Sequence, residues 1–334
     1  MRYKIRAEQA RPIQDTRYRT AVSVRVFTYL VSLYLVTCIS SINPHLQTSH
    51  TIKESTLLVN LNTVLADAQK NHYAVGLFNT TDTDMLEAVI AAAEECRSPV
   101  IIGTAEVLLP HGELKLITPS VIAAAKRATV PVVVHYDHGL TFDRCMEALQ
   151  LGFSSVMFDG SAGDYQKNIA DTREIVKIAH AFGATVEGEI GHVGEASAND
   201  NAATDLYTQV DEAVEYLNAT GVDALAVSIG TAHGAYKSKP KLDFDRLTEL
   251  HAALLVPLVL HGGSGLSDDD FRRSIACGIS KVNIFTDLCL AGNAAMADGL
   301  SAGEAYLTIR NRKVDYIKRA VMEKMSLFGS VGKA

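Results

Sequence analysis

The sequence predicts an α/β fold, a single-domain (β/α)8 barrel, and three observations carry that expectation. Short β-branched runs alternate with amphipathic stretches, the alternation repeats eight times within about 230 residues, and no long Pro/Ser-rich linker or low-complexity segment interrupts it. The expected strands run Ala74 to Phe78, Val100 to Ile102, Val130 to Tyr136, Ser154 to Phe158, Thr185 to Ile190, Ala224 to Ile229, Pro257 to Leu260 and Lys281 to Phe285. Between them, helical spacing of apolar residues marks Asp84 to Cys96, Phe142 to Leu151, Tyr165 to Phe182, Asp211 to Thr220, Phe244 to Ala253 and Asp268 to Cys277. A doubly wound open sheet is the competing arrangement.

Composition narrows the function. The 334 residues are 48% hydrophobic and 21% charged, ordinary for a globular chain with a large core. Against 31 Lys plus Arg stand 38 Asp plus Glu, a net charge of −7, so a basic nucleic-acid surface is not expected and no such partner is assigned. The cysteines Cys38, Cys96, Cys145, Cys277 and Cys289 are scattered and form no CxxC pair, which argues against a disulfide framework or a thiolate zinc site and for a reducing compartment.

Residues 1 to 56 read as a separate N-terminal extension, and 57 to 334 as the barrel. The extension carries Arg2, Lys4, Arg6, Arg11, Arg17 and Arg19, then the uncharged run Val26 to Ile39. That order resembles a signal peptide, but the run is short for a membrane span and no clean small-x-small cleavage site follows. Leu35 to Cys38 resembles a lipoprotein box only loosely. A disordered extension, or an upstream stretch joined to a chain starting at Leu57 or Leu58, are the alternatives; the abrupt change in composition favours the last.

In a barrel of this kind, function sits at the C-terminal ends of the strands. The third strand ends in His135-Tyr136-Asp137-His138, the sixth in Gly230-Thr231-Ala232-His233-Gly234 and the seventh in His261-Gly262-Gly263-Ser264-Gly265. Histidines at three separate strand ends converge on one mouth, and three protein ligands with an open position suit a catalytic zinc. His45, His50, His72, His111, His180 and His251 have no such setting and read as ordinary solvated histidines. The glycine-rich turn after strand seven, with Asn283-Ile284-Phe285-Thr286 at strand eight, offers backbone N–H groups and hydroxyls where a phosphate binds in this fold.

From about Leu57 to Ala334 these residues resemble the class II, metal-dependent ketose-bisphosphate aldolases of the fructose-bisphosphate and tagatose-bisphosphate type. The resemblance runs through Tyr73-Ala74-Val75-Gly76, Phe78-Asn79, Tyr136-Asp137-His138, Met157 to Ser161, Glu187-Gly188-Glu189-Ile190-Gly191, Gly230 to Gly234, Leu260 to Gly263 and Leu327-Phe328-Gly329-Ser330. It implies zinc ligands at His138, His233 and His261, an acid/base at Asp137, and a dihydroxyacetone-phosphate site at Gly234, Gly262, Gly263, Ser264, Asn283 and Thr286. Asp159 and Glu189, inward carboxylates at strands four and five, would hold the metal in an alternative position. It further implies a monovalent cation beside the phosphate, a phosphosugar substrate, a dimeric or tetrameric homo-oligomer, no membrane partner and a cytoplasmic location.

The chemistry accounts for these residue types. Breaking a C3–C4 bond beside a C2 ketone leaves a carbanion, which zinc on the C2 and C3 oxygens would stabilise as an enediolate. Asp137 would take the C4 hydroxyl proton and return it to the aldehyde oxygen in the condensation direction. A helix N-cap, or an orienting partner for a histidine, is the plainer reading of Asp137. His135 lies on the same strand face and reads as a supporting residue. The resemblance also implies a carboxylate on the loop 191 to 204, which carries His192, that exchanges a proton with the enediolate carbon; Glu195 is the candidate, with Asp200 as the alternative.

The expected reaction is therefore cleavage of a ketose 1,6-bisphosphate, fructose 1,6-bisphosphate first, to dihydroxyacetone phosphate and glyceraldehyde 3-phosphate. A tagatose 1,6-bisphosphate or other phosphosugar aldolase is the alternative. Fructose-type enzymes usually carry Asp where Phe285 stands and tagatose-type enzymes a small apolar residue, so this position departs from both. A Schiff-base aldolase is disfavoured because the nearest strand lysine, Lys281, opens strand eight rather than ending a strand. A metal-dependent hydrolase on the same barrel, and a scaffold barrel without metal, are more distant readings.

Overall fold

Eight parallel strands close on themselves in the computed structural model, which describes residues 57–191, 193–195, 207–234 and 240–334. The strands are β1 (Val75–Asn79), β2 (Val100–Ala105), β3 (Val132–Gly139), β4 (Ser155–Phe158), β5 (Thr185–Ile190), β6 (Ala224–Val227), β7 (Leu258–Leu260) and β8 (Ile279–Ile284). Each pairs with its sequence neighbours and β8 returns to β1, so the ring of these eight strands is closed. The chain is a closed (β/α)8 barrel, not the open sheet.

The helices are α1 (Leu61–Asn71), α2 (Thr83–Cys96), α3 (Leu114–Arg127), α4 (Phe142–Leu151), α5 (Tyr165–Ala181), α6 (Val210–Thr220), α7 (Phe244–Ala253), α8 (Asp268–Ala276), α9 (Thr286–Ser301) and α10 (Tyr306–Phe328). Several start on capping side chains that the sequence supplies: Asp82 accepts from the Met85 amide, Thr141 from Arg144, Asp164 from Lys167, and Ser267 forms a reciprocal capping box with Asp270. Helices α1, α3, α9 and α10 go beyond the six named from the sequence. Val130 and Pro131, expected in the third strand, lie before it, and that strand continues past Tyr136 to Gly139.

Helix α1 closes the lower end of the barrel. Leu61, Val64, Leu65 and Ala68 recur at helical spacing and pack against Val75, Leu77, Ile101, Val133, Ala224, Ala226 and Val259, the inward residues of the lower strands. A second, larger apolar layer lies between the strands and the surrounding helices. Each fully buried Val or Leu there contributes about 1.5–3 kcal/mol.

One expectation needs correction. Lys281 does not open β8: that strand begins at Ile279, directly after the turn at Gly278 with φ 117°, and Lys281 is a fully buried mid-strand residue. The charge interrupts an apolar run in the sequence, yet its side chain has a partner inside the barrel.

Candidate active site

The upper third of the barrel interior is polar because inward residues two steps further along the same strands change character. Leu77 is followed by Asn79, Val133 by His135 and Asp137, Val259 by His261, and Lys281 by Asn283. His138 would point outward in regular alternation. Its backbone instead takes φ 46°, the left-handed region, and the pairing of β3 with β4 shifts between Tyr136 and Gly139. Consecutive residues Asp137 and His138 therefore both reach the mouth.

His138 and His261 meet there, with His138 Nε2 2.8 Å from His261 Nδ1. The far nitrogen of each ring is held by a carboxylate: His138 Nδ1 lies 2.9 Å from Asp159 Oδ2, and His261 Nε2 lies 2.8 Å from Glu187 Oε1. Carboxylates accept, so those ring nitrogens carry the protons and the two facing nitrogens are left to share a cation. Asp159 is fixed in turn by Ser161, whose hydroxyl donates to Oδ1 at 2.6 Å and lies 3.2 Å from Glu189 Oε1.

Two overlapping donor groups result, Asp137 with His138 and His261, and His138 with Asp159 and Glu189; within each, the ligand atoms lie within 4.8 Å of one another. Buried Glu189 Oε2 accepts no hydrogen bond and lies 3.4 Å from His261 Nδ1. Imidazole nitrogens and an unsatisfied carboxylate oxygen at one point fit a divalent metal.

Electrostatics point the same way. Burial and then Asp159 push the Glu189 carboxyl up to about 8. Burial would lower His138, but Asp137, Asp159 and Glu189 outweigh it and raise the imidazole to about 9. A cation between them would relieve both shifts.

Asp137 is fully buried and accepts two amide hydrogen bonds, from Asn79 Nδ2 at 2.8 Å and Asn283 Nδ2 at 2.9 Å. Burial opposes its ionisation, but His138 and Lys281 hold its carboxyl well below the usual range. Room for Asn79 comes from Gly103 on β2, where an added Cβ would lie 2.4 Å from Asn79 Oδ1. His135 turns away to Ser155 Oγ at 2.7 Å and stays neutral, lowered to about 4 by burial and by Lys281.

Beside these groups opens a cleft of about 460 Å³. Gly234, Gly262, Gly263, Ser264, Asn283 and Thr286 all line it, together with Asn79, Asp137, His138 and Asp159. Helix α9 begins at the cleft, at Thr286, with no side-chain cap from Phe285. Phe285 N instead donates to Ser264 Oγ at 3.2 Å, tying the two phosphate-side loops together. Gly262 has φ 65°, and a Cβ there would lie 2.4 Å from the Ala232 carbonyl oxygen.

Two residues named from the sequence are placed by backbone alone. Gly194–Glu195 pairs in parallel with Ala232–His233, Glu195 opposite His233, while both side chains lie outside the described residues, as do His192 and Asp200. The sequence reading missed the roles of Asn79, Glu187 and Lys281, although the two-residue step from Lys281 to Asn283 and from Glu187 to Glu189 was the available signal.

The barrel carries at its mouth a donor set that could hold a metal ion, and comparison with known proteins gives the class. The profile of the family described as fructose-bisphosphate aldolase class II matches residues 59–333. An uncharacterized protein of Escherichia coli K12, YdjI, is 41% identical over 269 residues, covering 80% of this chain and 96% of that protein. The crystal structure of the YdjI aldolase superposes with a TM-score of 0.76 at 37% identity, covering 83% of this chain and 99% of that one. A fructose-bisphosphate aldolase from Thermus caldophilus is 37% identical over 301 residues, covering 81% of this chain and 98% of that protein. A 6-phospho-5-dehydro-2-deoxy-D-gluconate aldolase from Shouchella clausii is 39% identical over 279 residues, covering 81% and 94%. The chain belongs to the class II fructose-bisphosphate aldolase family: it is an aldolase, a carbon–carbon lyase of a class that uses a divalent metal and phosphosugar substrates. Among the described residues no helix is long and apolar enough to cross a membrane.

Proposed function

We propose that the chain cleaves a ketose 1,6-bisphosphate, fructose 1,6-bisphosphate first, to dihydroxyacetone phosphate and glyceraldehyde 3-phosphate. The observation that carries this reading is the meeting of His138 and His261 at 2.8 Å beside Asp137, whose carboxylate is kept ionised at the cleft wall. His138, His261 and His233 would hold zinc, with Asp159 and Glu189 as the alternative position. A bound divalent ion supplies Lewis acidity, stabilising the charge that develops on the substrate oxygens. Asp137 accepts the proton of the C4 hydroxyl as the C3–C4 bond breaks, and its two amide partners aim the carboxylate. The turn Gly262 to Ser264, Gly234, Asn283 and the start of α9 at Thr286 take the phosphate end, with a monovalent cation alongside. Glu195 serves the later proton exchange at the carbon left behind.

A second substrate reading rests on Phe285, which lines the cleft without a polar group. A wall that cannot hydrogen-bond a sugar hydroxyl discriminates poorly between epimers. Tagatose 1,6-bisphosphate is then accepted with similar efficiency, and the Shouchella clausii relative shows that other phosphosugars are within this family's range. Cleavage assays on both 1,6-bisphosphates, with and without a chelator, test the reading. Chelation should abolish turnover and zinc restore it, and kcat/KM for the two sugars should differ by less than about a thousandfold. Turnover that survives complete metal removal would end the metal assignment.

The activity and the cytoplasmic homo-oligomer are assigned to residues 57–334. Leu57 O already accepts from Val132 N at 2.7 Å, so the barrel's own pairing starts there. A variant lacking residues 1–56 should be soluble and fully active. Insolubility, or native protein processed near Cys38, would reverse this.

A further inference from the structure

Lys281 is a fully buried charge in a layer where barrel interiors hold apolar side chains, and it touches neither the cleft nor solvent. Its ammonium lies 2.8 and 3.1 Å from the two Glu187 carboxylate oxygens and 2.7 Å from Asn283 Oδ1. We propose that Lys281 is the positioning residue of the site, fixing at once which nitrogen of His261 faces the metal and which end of Asn283 faces Asp137. This inference rests on the aldolase reading above.

The first limb runs through Asn283. An amide can present either its oxygen or its NH2 group to a neighbour, and an ammonium only donates. Lys281 therefore takes Asn283 Oδ1, which turns Nδ2 toward Asp137 Oδ1 at 2.9 Å. With that orientation fixed, each carboxylate oxygen of Asp137 accepts from one amide, Oδ2 from Asn79 and Oδ1 from Asn283.

The second limb runs through Glu187. Paired with an ammonium, this carboxylate is an acceptor with no proton to give, and His261 Nε2 stands 2.8 Å away. The ring proton is drawn to Nε2, and Nδ1 is left to face His138 Nε2. A single cation thus sets a ligand tautomer on one side and the proton acceptor on the other.

A purely structural ion pair would look similar in part, but buried pairs contribute little net stability because desolvation offsets their attraction. What an apolar pair of the same volume lacks is direction, and direction is what both limbs need. The test separates the two roles. Lys281→Met alone strands the Glu187 charge, so Glu187→Gln/Lys281→Met is made beside it as a neutral pair that can fold.

Full-length proteins stripped by chelator are titrated with Co2+ and followed by visible absorption, and kcat and KM are measured with metal saturating. For the double variant, thermal stability should stay near wild type. Co2+ affinity should fall about ten- to a hundredfold, the usual effect of losing a partner behind a ligand. In the same variant, kcat should fall about a hundredfold with KM changing far less, the expected result of a misdirected acid/base. Wild-type Co2+ affinity together with wild-type kcat in the double variant would overturn the proposal, since Lys281 would then only neutralise Glu187. If the wild-type chain cleaves no ketose phosphate, the aldolase reading falls. The Co2+ titration then decides the Lys281–Glu187–His261 limb by itself.

Discussion

The lower and upper halves of the barrel interior are built by the same strands, one turn of the pleat apart, and they differ in almost every property. Below, Leu77, Ile101, Val133 and Val259 form an apolar cluster with α1. Above, Asn79, His135, Asp137, Glu187, Glu189, His261, Lys281 and Asn283 are just as buried, yet each is a hydrogen-bonding or ionisable group. The difference teaches that stability and chemistry are divided along the strand. The lower layer gains from area removed from water, and the upper layer is tolerated because its charges are paired with one another. Changes in one half should therefore leave the property of the other half largely alone.

Asp137→Ala is the sharpest break of that division and the largest expected effect. Turnover should fall by roughly two to four orders of magnitude, the range for a general acid/base, while the melting temperature and zinc content stay near wild type. Loss of zinc instead of rate would make Asp137 a structural partner of the histidines.

Leu65→Ala makes the converse test. Leu65 is fully buried on α1 in the lower layer and is not among the residues that line the cleft. Truncation should cost about 2–5 kcal/mol of stability from lost transfer energy plus the cavity left behind. At a temperature where the variant is still folded, kcat should change less than twofold. A tenfold fall would show that the plug is coupled to the site and that the two halves are not independent.

Legibility in the sequence follows the same division. The strands of the lower layer are legible because apolar periodicity is the signal they are made of, and eight repeats of it suffice for the barrel, whereas α1, which plugs it, is not among the helices the sequence marks. Parts of the upper layer were readable where a residue sits at a strand end beside a distinctive neighbour, as with Asp137-His138 or His261-Gly262-Gly263. Lys281 was misplaced at the start of β8 for a physical reason: a charge in a strand reads as exposed unless its partner is known, and Glu187 is 94 residues away. The left-handed backbone at His138, which brings two successive residues to the mouth, leaves no mark in a pattern of period two. Asn79 needed Gly103 on the adjacent strand to be understood.

The mildest perturbation is pH, which acts on the upper layer through its buried ionisable groups. His138 is raised from its ordinary 6.5 to about 9 by Asp137, Asp159 and Glu189 acting against burial, so its protonated form favours the fold. That contribution is complete below about 6.5 and is lost as pH rises through 9. Glu189 is raised from 4.5 to about 8 by burial and then Asp159, so its neutral form favours the fold, and this is lost as pH climbs from 4.5 to 8. Both groups make metal-free protein less stable toward alkaline pH. Glu187 runs the other way: burial is outweighed by Lys281, which holds it down to about 2, so its contribution is present above 4.5 and lost only as pH falls toward 2. A divalent ion takes the unprotonated forms of His138 and Glu189, so its stabilising effect must grow over the window in which the metal-free fold weakens. Melting temperatures measured from pH 5 to pH 9, with and without zinc, should therefore diverge as pH rises. Parallel curves, or a metal-free protein that gains stability between pH 6 and pH 9, would show that the upper layer is not held by a shared cation.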